Sequence, residues 1–421
     1  MKTLLTTLAF TLLAGPAFTQ EKPDAAARIT ELERRLDALS RELEVQKTGT
    51  AMPVAAEEGR FGLGPSASKV YTVPSGLSVG GYGEFLYESK AASLQNGARV
   101  GSEKVADALR MVLYTGYKFS DRIVFNSELE FEHGGYSDTR PAGEAIVEFA
   151  YLDFLLHKAI NIRAGHLLVP MGFINELHEP TAFLGARRPQ VERTLIPATW
   201  HENGVGIHGD LPGNLSYRLY LMNGLDATRF SAEGIRGGRQ EGKEANAQSL
   251  AWTGRLDWTP QPGVLIGTSF YTGNSNQSGT GGAITTTVWD AHGEYRAQGL
   301  QVRGLYTRTR NAAAGVAALV TADPAREVGT QQWGGYLEVG YDLLKGAKQA
   351  LIPYVRYERL NAQQEVVPGI LALAGQDRTV VTTGLAFKPI PQVAVKADWT
   401  RDDNRARTGR NQFSLALGYT F

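Results

Sequence analysis

Between Val169 and Glu202 the chain carries three arginines close together, Arg187, Arg188 and Arg193, with His178 and His201 in the same stretch. A guanidinium is a rigid fork of N–H donors that matches the oxygens of phosphate, sulfate or a carboxylate, so three of them in one segment make a candidate anion receptor. The segment also holds Glu176, Glu179, Glu192 and Glu202, and ion pairing that merely holds it in place is the competing role. Covalent chemistry has little to stand on. The absence of Cys removes thiolate catalysis and thiolate zinc sites. Ser, His and Asp are scattered with no Gly-x-Ser-x-Gly setting, so the chain is not expected to be an enzyme. No ligand spacing surrounds His178, His201 or His292, so no metal and no cofactor is expected.

The elements that must position the arginines follow from composition and periodicity. Lys plus Arg equals Asp plus Glu at 43 each, which argues against nucleic acid as a partner. The 48 Gly, 17 Tyr and 16 Phe suit a turn-rich β protein. Lys2, the apolar run Leu4 to Leu13 and the small residues Gly15, Pro16 and Ala17 predict a secretory signal over 1–19. After it no stretch of about 18 apolar residues occurs, so a membrane can be crossed only by strands. Ile29, Leu32, Leu36, Leu39 and Leu43 step by threes and fours, which predicts a short coiled-coil helix over 24–47 whose narrow seam needs further copies or another surface to cover it. Residues 48–74 read as a flexible linker.

From Leu77 onward the period is two. Phe413, Leu415, Leu417, Tyr419 and Phe421 share one face of the last segment, and Gln412, Ser414, Ala416, Gly418 and Thr420 the other. Phe413 and Phe421 stand roughly 26 Å apart along a strand, the spacing of two aromatic girdles across a tilted apolar band. Sixteen such segments can be counted between 77–89 and 410–421, joined alternately by tight turns and long polar loops, with both ends of the barrel on one side. The fold expected for 75–421 is therefore all-β, a transmembrane antiparallel barrel of about 16 strands preceded by the helix. Its long third outer connection, 169–202, is the expected constriction. Arg110, Arg163, Arg218, Arg255, Arg296, Arg303, Arg356 and Lys396 fall on the polar face and are expected to line a watery lumen, offset by Glu84, Glu128, Glu130, Glu132, Asp257, Asp290, Glu294, Glu338 and Asp398.

The stretch Arg163-Ala-Gly-His-Leu-Leu-Val-Pro-Met-Gly172, then Trp200-His-Glu-Asn-Gly-Val-Gly-Ile207, resembles the phosphate-selective porin O and P family, in which a strand of the form x-x-G-x-x-x-x-P-x-G leads into the third loop. Gly80-Gly-Tyr-Gly-Glu84 and the terminal Gly418-Tyr-Thr-Phe421 add to the resemblance. It implies a homotrimeric outer-membrane porin in contact with lipid, passing small hydrophilic solutes, anions such as phosphate among them, with Arg187, Arg188 and Arg193 as the constriction residues. Topology then puts the helix in the periplasm. The alternative is a structural protein that tethers the outer membrane through its coiled coil.

Overall fold

In Leu250–Trp258 the burial is the inverse of what a soluble protein needs. Trp252, Leu256 and Trp258 are exposed at 49%, 42% and 44%, while Thr253, Arg255 and Asp257 are buried. The same inversion recurs around the molecule: Ile266 and Phe270, Leu337 and Tyr341, Val355 and Tyr357, and Val395 and Trp399 all lie outside. An apolar exterior around a polar interior is stable only where the surroundings are lipid.

The computed structural model describes residues 59–135, 143–278 and 282–421. The expected signal segment 1–19 and helix 24–47 lie outside these residues, as does the first part of the linker. The strands are β1 (Gly76–Lys90), β2 (Glu103–Ser120), β3 (Ile123–Glu132), β4 (Ala145–His157), β5 (Ile160–Leu168), β6 (His201–Leu211), β7 (Leu215–Asn223) and β8 (Leu250–Trp258). They continue as β9 (Val264–Asn274), β10 (Thr285–Ala297), β11 (Leu300–Asn311), β12 (Gln331–Tyr341), β13 (Ala350–Glu365), β14 (Asp377–Ile390), β15 (Val393–Asn404) and β16 (Gln412–Thr420). Every neighbour is antiparallel, and β1 pairs with β16 to close the barrel, so no edge is left with unpaired backbone groups. Phe421 completes the seam: its N–H donates to Gly81 O at 2.9 Å, and its carbonyl accepts from Gly81 N at 3.0 Å. The described residues also contain two short helices, α1 (Gln190–Thr194) and α2 (Ala313–Ala322).

The core is the lumen, and two segments fill much of it. One is the connection 169–200 between β5 and β6, hereafter loop L3. The other corrects the reading of 48–74 as flexible linker throughout. Within 59–74, Leu63, Ala67, Val70 and Tyr71 are buried against the inner wall. Asn126 Nδ2 donates to Ala67 O at 2.8 Å, Lys118 Nζ to Val73 O at 3.1 Å, and Tyr71 Oη to Asp153 Oδ2 at 2.7 Å.

Candidate constriction site

Two glycines let β5 deliver L3 into the barrel. Gly165 has φ +138°, and a Cβ there would stand 2.5 Å from Ala150 O on β4. Gly172 has φ +62°, a left-handed conformation that costs an L side chain about 1–2 kcal/mol. Asn175 then ties the two ends of the loop together. Its Nδ2 donates to the carbonyls of Val169 and Trp200 at 2.7 and 2.8 Å, and its Oδ1 accepts from Trp200 N at 2.6 Å.

An irregular loop inside a barrel must find partners for its backbone away from bulk water, and the wall supplies them. Wall carboxylates accept from loop N–H groups: Asp290 from Gly172 at 3.1 Å, Asp398 from Ala186 at 2.7 Å and Glu358 from Val191 at 2.9 Å. Wall cations donate to loop carbonyls: Lys396 to Gly185 at 2.9 Å, Arg303 to Ala182 at 3.1 Å, Arg356 to Arg187 at 3.3 Å, and Arg255 to Gly172. Arg218 pairs with Glu176 of the loop at 3.0 Å. Arg163 pairs with Asp153 at 2.8 Å and touches Tyr71 of the N-terminal segment at 3.2 Å. Arg110 stands 3.3–3.6 Å from Glu84, Glu130 and Glu132. The expectation that these side chains line open water is corrected: Arg163, Arg218, Arg255, Arg303, Arg356 and Lys396 are buried braces. Only Arg296, half exposed and paired with Glu294, keeps substantial contact with solvent.

Arg187, Arg188 and Arg193 do come together. They line two cavities of about 620 and 220 Å³ on the outer side of L3. Arg187 makes a bidentate pair with Glu88 at 2.7 and 2.8 Å, so pairing with the wall takes one of the three. Arg188 reaches only a carbonyl, His178 O at 3.3 Å, and the Arg193 side chain has neither hydrogen bond nor ion pair among the described residues. Arg236 and Arg239, from the connection between β7 and β8, join the smaller cavity and were not anticipated. Their guanidiniums also donate to the loop carbonyls of Ala198 and Thr199. Seven cationic side chains face four carboxylates around the larger cavity, so positive charge is in excess there. Burial and the guanidiniums of Arg187, Arg188 and Arg110 bring Arg193 down to about 10, which leaves it charged at neutral pH. Burial and Arg239 bring Arg236 down to about 9. The arrangement can hold an oxyanion by charge and by fork-shaped donors.

The fold also assembles a donor set that spacing along the chain did not reveal. Glu128 of β3, Glu148 of β4 and His178 of L3 bring one ligand atom each within 4.8 Å of one another, all three buried. Spacing along the sequence gives no ligand set around His178; the fold brings these two carboxylates to it from β3 and β4.

A closed sixteen-stranded antiparallel barrel with a lipid-type exterior and its third outer connection folded into the lumen has the porin fold. Solved outer-membrane porins share it. Salmonella typhi OmpF in complex with daunomycin has a TM-score of 0.53 at 11% identity, over 83% of this chain and 98% of that one. The anion-selective porin of Comamonas acidovorans reaches 0.51 at 9% over 82% and 100%, and the outer-membrane channel DcaP of Acinetobacter baumannii 0.51 at 9% over 82% and 97%. No protein-family profile matches the chain. The chain belongs to the same family as an uncharacterized protein of Aquifex aeolicus, with which it is 36% identical over 373 residues, 86% of this chain and 83% of the relative.

Proposed function

We propose that this protein is a homotrimeric outer-membrane porin that passes small hydrophilic solutes and favours anions, phosphate-like oxyanions among them. The observation that carries the reading is the excess of guanidinium on the outer side of L3, where Arg187, Arg188 and Arg193 border both cavities. The resemblance of Arg163 to Gly172 to the phosphate-selective porins supports it, and the trimer and the periplasmic place of the 24–47 helix belong to the same proposal. Conductance across planar bilayers under a salt gradient tests it: an anion-signed reversal potential and block by added phosphate are expected, and a cation-signed potential overturns the anion preference.

One observation favours a second reading. L3 and residues 59–74 fill much of the lumen of a single chain, which suits a structural barrel that anchors the N-terminal helix. Folded protein that never conducts would establish that role in place of the channel.

A further inference from the structure

We propose that Glu128, Glu148 and His178 form a divalent-cation site, suited to zinc or another borderline first-row ion, that pins L3 to the barrel wall. The carboxylates come from adjacent strands and the imidazole from the loop, so an ion there would fasten one to the other.

Geometry is the first support. His178 Nε2 lies 3.0 Å from Glu128 Oε1 and 3.4 Å from Glu148 Oε2. A tetrahedral zinc with bonds of about 2.0–2.2 Å holds its ligand atoms roughly 3.3–3.6 Å apart; the imidazole stands near that distance from each carboxylate, and the three ligand atoms lie within 4.8 Å of one another, so closing on one ion calls for rotation of the two carboxylates. The backbone is built to bring them there. Glu128 faces Phe149 across the β3–β4 pair while Leu129 faces Val147, so Glu148 is the extra residue of a β-bulge. Regular alternation would turn either Glu148 or Phe149 toward lipid, and the bulge buries both.

The hydrogen bonding points to a ligand. His178 Nδ1 sits 3.0 Å from Asn175 O, which fixes the Nδ1–H tautomer and aims the Nε2 lone pair at the two carboxylates, the orientation of a metal-bound histidine with its supporting carbonyl. Among the described residues no N–H or hydroxyl donates to either oxygen of Glu148 or to Glu128 Oε2, and besides His178 the side-chain neighbour that Glu148 does meet is another buried carboxylate, Glu130 of β3. A buried carboxylate in that state needs a cation or a proton. With Glu130 held by Arg110 at 3.4 Å, a proton on His178 supplies one positive charge for the two remaining carboxylates, whereas a divalent ion balances both; the competing arrangement is a proton shared between Glu148 and Glu130, in which no ion binds. The imidazole disfavours magnesium and calcium, which take oxygen ligands, and selects for a first-row ion.

The test uses the full-length folded protein in detergent, stripped with EDTA and then titrated with zinc and with cobalt. One ion per chain is expected, with a visible cobalt d–d band of four-coordinate strength. Glu148→Gln and His178→Ala should each weaken binding about a hundredfold or more, with heat-modifiable migration confirming that the variants are folded. X-ray absorption on zinc-loaded wild type needs no variant, and a single imidazole with oxygen scatterers supports the site. Absence of stoichiometric binding by folded wild type, or binding that both folded variants retain, or a zinc shell of several imidazoles, would overturn it.

Discussion

Glu192 is the most informative residue to remove from L3. It is fully buried in the lumen, where Oε1 accepts from Tyr336 Oη at 2.7 Å and Oε2 from Ile174 N at 2.7 Å. Glu192→Ala leaves both donors without a partner, at about 1–3 kcal/mol each, part of which Tyr336 recovers by rotating its hydroxyl. A net loss of about 3 kcal/mol shifts the docked-to-undocked ratio of the loop on the order of a hundredfold. Glu192→Gln, which keeps one acceptor, should cost much less. Amide hydrogen exchange over 169–200 reads the docking directly, and single-channel conductance reads its consequence: faster exchange in L3 alone, with a larger or noisier conductance. Unchanged loop exchange in a folded Glu192→Ala barrel would refute the reasoning that wall-to-loop hydrogen bonds hold the constriction.

Three further outcomes follow from the same contacts. Gly172→Ala forces a side chain into φ +62° with its Cβ 2.6 Å from Glu192 Oε2, and should cost about 1–2 kcal/mol, visible as a lower denaturant midpoint; an unchanged midpoint contradicts the strained turn. Asn175→Ala removes three hydrogen bonds across the base of L3, and should cost about 2–4 kcal/mol; exchange that speeds up anywhere but L3 and its flanks counts against the clip. Glu179 Oε1 accepts from Ser66 N at 2.9 Å and Ala67 N at 3.0 Å, and burial pushes its carboxyl from 4.5 up to about 7. Because the folded value is the higher one, this contribution to stability is complete below pH 4.5 and is lost as pH rises through about 7. The loss amounts to about 3 kcal/mol by pH 8. Midpoints measured from pH 4.5 to 8 should fall in wild type and flatten in Glu179→Gln; parallel curves would remove Glu179 as the cause.

Much of the barrel was legible because side-chain direction in a strand is a local property. The segments 160–168 and 285–297 coincide with β5 and β10, and all sixteen expected strands are present. The limits of β13 were less clear, since it runs on to Glu365 through polar residues that carry no lipid-facing signal. What alternation cannot reveal is a break in itself, so the bulge that turns Glu148 inward was invisible. Residues 59–74 read as linker because their composition is that of a linker, and their partners Asn126, Asp153 and Glu179 are far along the chain. The cluster of Arg187, Arg188 and Arg193 was apparent from proximity in sequence. Arg236 and Arg239 meet it only through the fold. For the wall cations, direction was readable and circumstance was not: whether Arg303 or Lys396 faces water or a loop carbonyl depends on where L3 lies.

The reversal potential of single channels under a salt gradient, compared between wild type and the Arg187→Gln, Arg188→Gln, Arg193→Gln triple variant, tests the central claim most directly. An anion-signed potential that moves toward zero in the variant is the predicted result. A folded protein that does not conduct, or an ion preference that the triple variant leaves unchanged, would contradict it.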